Sequence, residues 1–255
     1  MRISVTGSNG FIGSALVRRL GEYNVHRIPH DAIFDYGPQA GTCFYLAAYG
    51  NLAGQPDIRE MVTANVLKPI HLASELTGRF VFASSSSVCL EVQTAYSRTK
   101  ALAEEALCGM NSRELSVAIA RPYTIIGVGQ PKGCLIPSLI RSCFEGEPIS
   151  PALSPTHDYI DVEDMVDGLL MLADGELTGI FGFGSGVATT NAEIIREVEC
   201  ATGFRANIVG TSTRRPYDCE DWRCESALPG WRPKKTIRES IGEMVEAYKC
   251  NTGYE

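Results

Sequence analysis

A short β-branched run, Ile3 to Thr6, leads directly into Thr6-Gly7-Ser8-Asn9-Gly10-Phe11-Ile12-Gly13, and helical periodicity then continues to Leu20. This strand, glycine turn and helix constrain the chain more than any other feature. Gly7 permits the tight turn, Gly10 lets backbone approach a pyrophosphate held at the helix N-terminus, and Gly13 lets the helix pack closely on the strand. The turn predicts a dinucleotide site contacted by Gly7, Gly10, Phe11, Ile12 and Gly13.

The alternation continues through Val25 to Ile28, Cys43 to Ala47, a helix ending near Leu76, Arg79 to Ala83, a helix from Ala95 to Met110, and Ser116 to Ala120. Strands alternating with helices predict an α/β fold, a doubly wound parallel Rossmann sheet with helices on both faces. Residues 29–42 are too few for a full helix and strand. The sheet is therefore expected to be shortened after its second strand, with a more open adenine side. Beyond Arg121 the rhythm loosens, and the helical stretches Val162 to Ala173, Asn191 to Thr202 and Ile237 to Lys249 are separated by short strands. The expectation is a dinucleotide-binding domain over 1–125 and a smaller α/β substrate lobe over 126–255, with some late segments returning to the first domain.

With 255 residues, 44% of them hydrophobic, the chain can bury a sizeable core. A net charge of −7 leaves no basic excess for a phosphate backbone, which argues against nucleic acid as a partner. Apolar stretches such as 166–173 are too short to span a bilayer, and no secretory leader pattern precedes the first strand, so the expected address is the cytoplasm and no membrane partner is expected. The nine cysteines show no C-x-x-C pair or zinc spacing with histidine; they read as small hydrophobes, and no metal is expected.

Two further patterns carry chemistry. Tyr96 and Lys100 lie four residues apart on a helical pattern, which puts phenol and ammonium on one face; a cation there is expected to lower the phenol pKa and ready it for proton transfer. Upstream, the apolar strand Phe80-Val81-Phe82-Ala83 runs into Ser84-Ser85-Ser86-Ser87 at the edge where open α/β sheets bind ligands. A hydroxyl there, Ser85 in this reading, can donate to the same substrate oxygen that Tyr96 protonates.

Together these residues resemble the extended short-chain dehydrogenases/reductases, the NAD-dependent epimerases and dehydratases that modify nucleotide sugars. The resemblance covers nearly the whole chain: Thr6-Gly7-x-x-Gly10-x-x-Gly13, Leu46-Ala47-Ala48 after the strand corresponding to the family's fourth, Asn65 in Ala64-Asn65-Val66, Ser84-Ser85-x-x-Val88, Tyr96-x-x-x-Lys100 and Arg121-Pro122. It implies Ser85, Tyr96 and Lys100 as the catalytic group and Asn65 as its support. It also implies that Leu46, Ala47, Ala48, Ala83 and Ser84 line the cofactor, with Pro122 and Tyr123 bordering the nicotinamide. Downstream, Gly127-x-Gly129-Gln130, His157-Asp158-Tyr159-Ile160-Asp161-Val162-Glu163-Asp164, Gly182-x-Gly184-Ser185-Gly186 and Gly230-Trp231-Arg232-Pro233 resemble elements that frame a nucleotide-sugar pocket. Ser85, Ser86, Gln130 and Arg215 are the substrate candidates, Arg215 as a guanidinium fork for a diphosphate.

Departures from the family pattern shape the remaining expectations. Cys89-Leu90 stand where a tyrosine and glycine commonly follow the valine. Where an acid for the ribose hydroxyls of NAD normally ends the second strand, Pro29-His30 stands instead, with Asp31 slightly late. His30 facing the adenosine together with Arg27 favours NADP(H); Asp31 turned inward would favour NAD(H). Ser86-Ser87 replace the acid-base pair of the family's dehydratases, which points to hydride transfer without dehydration. The reading is a 4-ketoreductase of a nucleotide-activated sugar. The alternatives are a 4-epimerase that retains NAD, a reductase of another carbonyl compound, and a non-catalytic NAD(P)-binding regulator. The family likeness also implies a homodimer through the helices around Asn65 and Tyr96, on a face that Pro69 can alter by kinking the first of them.

Overall fold

The computed structural model describes residues 2–51, 55–224 and 226–253. In chain order the strands are β1 (Ile3–Thr6), β2 (Val25–Ile28), β3 (Gln39–Tyr45), β4 (Leu76–Ala83), β5 (Leu115–Pro122), β6 (Thr124–Ile126), β7 (Thr156–His157), β8 (Tyr159–Asp161), β9 (Gly179–Phe183) and β10 (Thr189–Thr190). The α-helices are α1 (Phe11–Leu20), α2 (Ile58–Val62), α3 (Lys68–Ser74), α4 (Ala95–Gly109), α5 (Leu135–Glu145), α6 (Val162–Asp174), α7 (Asn191–Thr202) and α8 (Ile237–Thr252). None is long and apolar enough to cross a membrane among the described residues. The chain forms two compact units, the first of residues 1–122, 166–183 and 226–231, the second of 123–165, 184–225 and 232–255.

The first unit is a six-stranded sheet in the order β2-β1-β3-β4-β5-β9, every neighbouring pair parallel. Its central strands are apolar over their carboxyl-terminal halves because both faces are covered there: Phe80, Phe82, Tyr45, Val117 and Ile119 are fully buried. Tyr45 and Phe82 rings stand 5.8 Å apart within this core. In the expected Rossmann order another strand lies outside β2. Here β2 is the edge, and residues 29–38, holding one short 3₁₀ turn (Ile33–Asp35), cross directly to β3. Ile33 in that turn is fully buried and takes part in the same core as Leu72 and Leu76, so a single side chain fills part of the space a helix would cover.

Before β4 the helical run from Ile58 to Ser74 is continuous but irregular. Asp57 caps its start by accepting from the Arg59 and Glu60 amides, a π turn (Thr63–Leu67) interrupts the α pattern while the backbone stays helical at Val62, Thr63, Leu67 and Lys68, and Pro69, which has no N–H to give the preceding turn, follows that wider turn. The π turn widens the helix at Asn65.

The second unit packs α5, α7 and α8 around Leu139, Ile194, Val198, Ile241 and Val245. Capping boxes at Thr190/Glu193 and Thr236/Glu239 start α7 and α8. Two small ladders, β6 parallel to β8 and β7 antiparallel to β10, complete it. Asp158, fully buried between them, accepts from the amides of Ser185, Gly186 and Cys224 and so ties two loops to one carboxylate.

Candidate active site

The order in which strands are added to the sheet reverses between β1 and β3, and the crevice of a doubly wound sheet lies there, at the strands' carboxyl ends. The glycine turn occupies it. Gly7 has φ +64°, and a Cβ on it would lie 2.7 Å from the Ala47 amide nitrogen; one on Gly13 would lie 2.0 Å from the Gly7 carbonyl oxygen. The Thr6 hydroxyl accepts from the Leu46 and Ala47 amides at 3.1 and 3.2 Å, holding the end of β3 against the turn. Helix α1 begins at Gly10 with no side-chain cap, so Phe11 and Ile12 present their amides at an uncovered helix start, the form that suits a diphosphate. Ser84, at the end of β4, has a buried hydroxyl with no partner. A backbone cradle that admits no side chain and an orphaned hydroxyl at the same sheet edge both fit a dinucleotide.

At the β4 edge, Ser85 caps a 3₁₀ turn: its Oγ accepts from the Ser87 amide at 3.1 Å and lies 2.8 Å from the Ser87 hydroxyl. Ser86, the other candidate, is buried inside that turn. From α4, whose N-cap is Thr94, Tyr96 comes within hydrogen-bonding reach of Ser85. Lys100, 1% exposed, donates to the Ala83 carbonyl at 2.8 Å and lies 4.6 Å from the Phe82 ring centroid and 6.0 Å from that of Tyr96. The three side chains therefore converge at the carboxyl end of β4. Asn65 is fully buried; its Nδ2 donates to the Tyr49 carbonyl and the Thr99 hydroxyl, and its Oδ1 accepts from the Tyr49 amide. It thus fixes the loop after β3 to the helix that carries Tyr96 and Lys100. Ala48 follows in that loop, and Pro122 closes β5 in the same sheet.

The electrostatics differ from the expectation of an acidified phenol. Burial pushes Tyr96 up to about 12, against a smaller downward pull from the Ser85 hydrogen bond. Burial also takes Lys100 down to about 7, against a smaller upward pull from Glu104. Desolvation disfavours the charged form of both groups and outweighs the cation-phenol pairing that their spacing suggests. Tyr96 is a phenol ready to give a proton.

At the β2 edge, His30 and Asp31 are exposed. The Arg27 guanidinium reaches the Asn9 side chain in the glycine turn at 3.3 Å, linking the strand to the cradle. Lys68, 6% exposed, donates to the His30 carbonyl at 2.8 Å, and its Nζ is 3.0 Å from His30 Nδ1. No ion pair with a carboxylate is found for it among the described residues. Sequence reasoning missed Lys68, although a lysine between Leu67 and Pro69 in an apolar run was a signal.

In the second unit Arg215 is half-exposed and forks onto Asp218 through Nε and Nη2 at 3.0 and 2.7 Å, with the Tyr217 ring beside it. Nearby, burial and then Arg215 take His157 down to about 4, so its ring is neutral at physiological pH. His157 Nδ1 and Trp222 Nε1 are buried without partners, their rings 5.2 Å apart, and Tyr123 packs 6.4 Å from Trp222. Trp222, also missed from sequence, has no motif around it. Gln130 lines a different cavity of about 260 Å³ with Pro137, Met244 and Tyr248, and none of residues 157, 215 and 222 lines it. Among the described residues no group of His, Cys, Asp and Glu is assembled to hold a metal.

Residues 3–180 match the model of the NAD dependent epimerase/dehydratase family. UDP-glucuronic acid decarboxylase 4 of Arabidopsis thaliana is 23% identical over 98% of this chain and 69% of its own length. A dTDP-6-deoxy-L-talose 4-dehydrogenase (NAD(P)(+)) of Kitasatospora kifunensis is 25% identical over 60% of this chain and 52% of its own. Among solved structures, MoeE5 in complex with UDP-glucose and NAD superposes with a TM-score of 0.87 and 25% identity, over 98% of this chain and 99% of the other.

Proposed function

Because the chain belongs to the NAD dependent epimerase/dehydratase family and is an enzyme of the short-chain dehydrogenase/reductase kind that modifies nucleotide sugars, we propose that it reduces a ketone of a nucleotide-activated 4-keto sugar to a secondary alcohol. The observation that carries this is the convergence of Ser85, Tyr96 and Lys100 at the carboxyl end of β4, where burial keeps Tyr96 a phenol. A phenol in that state is a general acid at neutral pH.

The nicotinamide, when bound, supplies the hydride. Ser85 donates a hydrogen bond to the substrate oxygen, and Tyr96 transfers its proton to that oxygen as negative charge develops. The phenolate left behind is stabilised by Lys100 in its charged form, and Lys100 is held in place by the Ala83 carbonyl. Ser86-Ser87 offer no acid or base for removing water. NADP(H) is the preferred cofactor in this reading, since Arg27 and Lys68 both stand at the carboxyl end of β2. Recognition of the diphosphate is assigned to Arg215, and that of the nucleoside to the unpartnered ring nitrogens of His157 and Trp222 beside it; UDP and dTDP sugars are the first to test. Leu67 and Leu102, half-exposed on their helices, are the apolar residues on which a homodimer is placed, and sedimentation velocity reads it.

The test is reduction of a UDP- or dTDP-4-keto-6-deoxyhexose by NADPH, followed at 340 nm, with the product analysed by mass spectrometry. Protein that is purified with NAD already bound, and that interconverts UDP-glucose and UDP-galactose without added cofactor, would be an epimerase and would overturn the reductase reading.

A further inference from the structure

Three groups recur along one face of α4 at successive turns: Tyr96, Lys100 and Glu104. The first two have roles above. Glu104 does not, yet it is 4% exposed, and a carboxylate is rarely so buried without a charged partner. Its partner is Arg121 on β5, whose Nε and Nη2 donate to the two carboxylate oxygens at 2.9 and 2.5 Å, while Nη1 contacts Cys89 Sγ at 3.3 Å.

We propose that Glu104 is a positioning residue for the reaction: its buried carboxylate, one turn beyond Lys100, keeps the Lys100 amine charged, and Arg121 sets how much of that negative charge Lys100 experiences. The catalytic meaning rests on the assignment of Tyr96 and Lys100 above; the effect on the amine does not.

The geometry leaves Lys100 little else. Its contacts are the Ala83 carbonyl and the rings of Phe82 and Tyr96. A carbonyl dipole and ring faces are weak compensation for a fully desolvated ammonium. Of the charged or titratable groups packed around it, α4 supplies Tyr96, Glu104 and, one turn further, Cys108; β5 supplies Arg121; and the 3₁₀ turn after β4 supplies Cys89, in contact with that arginine. Tyr96 and Cys108 are held neutral by burial. Glu104 is the anion that favours a charged amine, and burial alone would carry Lys100 further below its present value near 7. A carboxylate need not touch the amine to act, because Coulomb interactions fall off slowly in such a medium. The fork from Arg121 fixes the carboxylate's orientation and offsets part of its charge.

Opposite signs follow for the two partners. Removing the carboxylate must lower the Lys100 midpoint; removing the guanidinium, a nearby positive charge, must raise it. Misfolding or general opening of the site would restore ordinary solvation and move both midpoints upward.

The experiment is a pH titration of the lysine Cε signals of the whole chain, labelled with ¹³C-lysine, with Lys100 assigned by K100R. The expected result is a midpoint about one unit below wild type in Glu104→Gln, above wild type in Arg121→Gln, and close to wild type in Glu104→Asp. An unchanged midpoint in folded Glu104→Gln, or shifts of the same sign in E104Q and R121Q, would overturn the proposal. If E104Q does not fold, R121Q and E104D decide it: a midpoint in R121Q at or below wild type sinks the idea. The limb of the pH profile on which ketone reduction falls as pH rises through neutral should move with the NMR midpoint. Midpoints that behave as expected in a chain whose turnover survives Tyr96→Phe would remove the proposed reaction and leave the charge assignment standing.

Discussion

The two sides of the crevice in the first unit are built differently. At the β4 edge the reacting groups come from elements of ordinary length, and each is fixed by hydrogen bonds: Ser85 by the Ser87 amide, Lys100 by the Ala83 carbonyl, and α4 by the Asn65 side chain through Thr99. At the β2 edge a strand and helix are missing, and a few side chains replace them: Ile33 in the core, Phe34 against His71, and Lys68 under His30. Hydride and proton transfer need sub-ångström placement, whereas adenosine recognition needs only affinity.

The sharpest way to break this contrast is Tyr96→Phe. The phenol's proton is the one removed, so reduction should fall by about 10²–10⁴-fold, the usual worth of general acid catalysis. NADPH affinity, read by fluorescence titration, should stay within about twofold because no cradle atom changes. Turnover within tenfold of wild type would remove the proton-transfer role.

Gly13→Ala should come next, acting on the cradle itself. The added Cβ would stand 2.0 Å from the Gly7 carbonyl oxygen, a backbone atom that cannot turn aside, so the turn must shift. Loss of cofactor affinity by at least about a hundredfold is expected, with a lowered Tm since α1 no longer packs on β1. Normal NAD(P)H binding in a folded G13A chain would contradict the placement of the diphosphate at α1.

Sequence and structure agree most where local rules suffice. The bounds of α1, β2 and α7 could be read from periodicity, and the crossing from β2 to β3 was too short for another helix and strand. β3 starts four residues before the apolar run, at Gln39, because pairing with Leu76 to Arg79 of β4 extends it through polar residues that no hydrophobic pattern marks. The spacing of Tyr96 and Lys100 was legible; their protonation was not, since desolvation depends on what packs against α4 rather than on what it contains. Trp222 was invisible for the same reason, and the burial of Lys68 was marked only by its apolar neighbours. A lysine in a helix is normally solvated, and only the loop that replaces a missing unit buries this one.

Lys68→Gln probes the other edge. A buried ammonium with no carboxylate beside it is costly unless an anion completes it, and a 2′-phosphate at the end of β2 is the anion this position can meet. NADPH affinity should drop about tenfold, roughly 1.4 kcal/mol, with NADH affinity little changed. Equal losses for both cofactors would show that Lys68 only holds the His30 loop.

The smallest effect is expected at Ser87. Its amide and hydroxyl both engage the Ser85 Oγ, yet the amide alone can hold Ser85 as N-cap of the turn. Ser87→Ala removes the 2.8 Å contact between hydroxyls and keeps the backbone bond, so the catalytic hydroxyl should remain placed while losing one donor or acceptor. A few-fold drop in kcat with KM and cofactor affinity unchanged is expected, consistent with about 0.5–1.5 kcal/mol for one neutral hydrogen bond. A drop approaching that of Tyr96→Phe would mean that the proton leaves or enters Tyr96 through Ser85 and Ser87, making the hydroxyl pair part of the proton path. The β4 edge would then extend one residue further than its backbone bonds suggest.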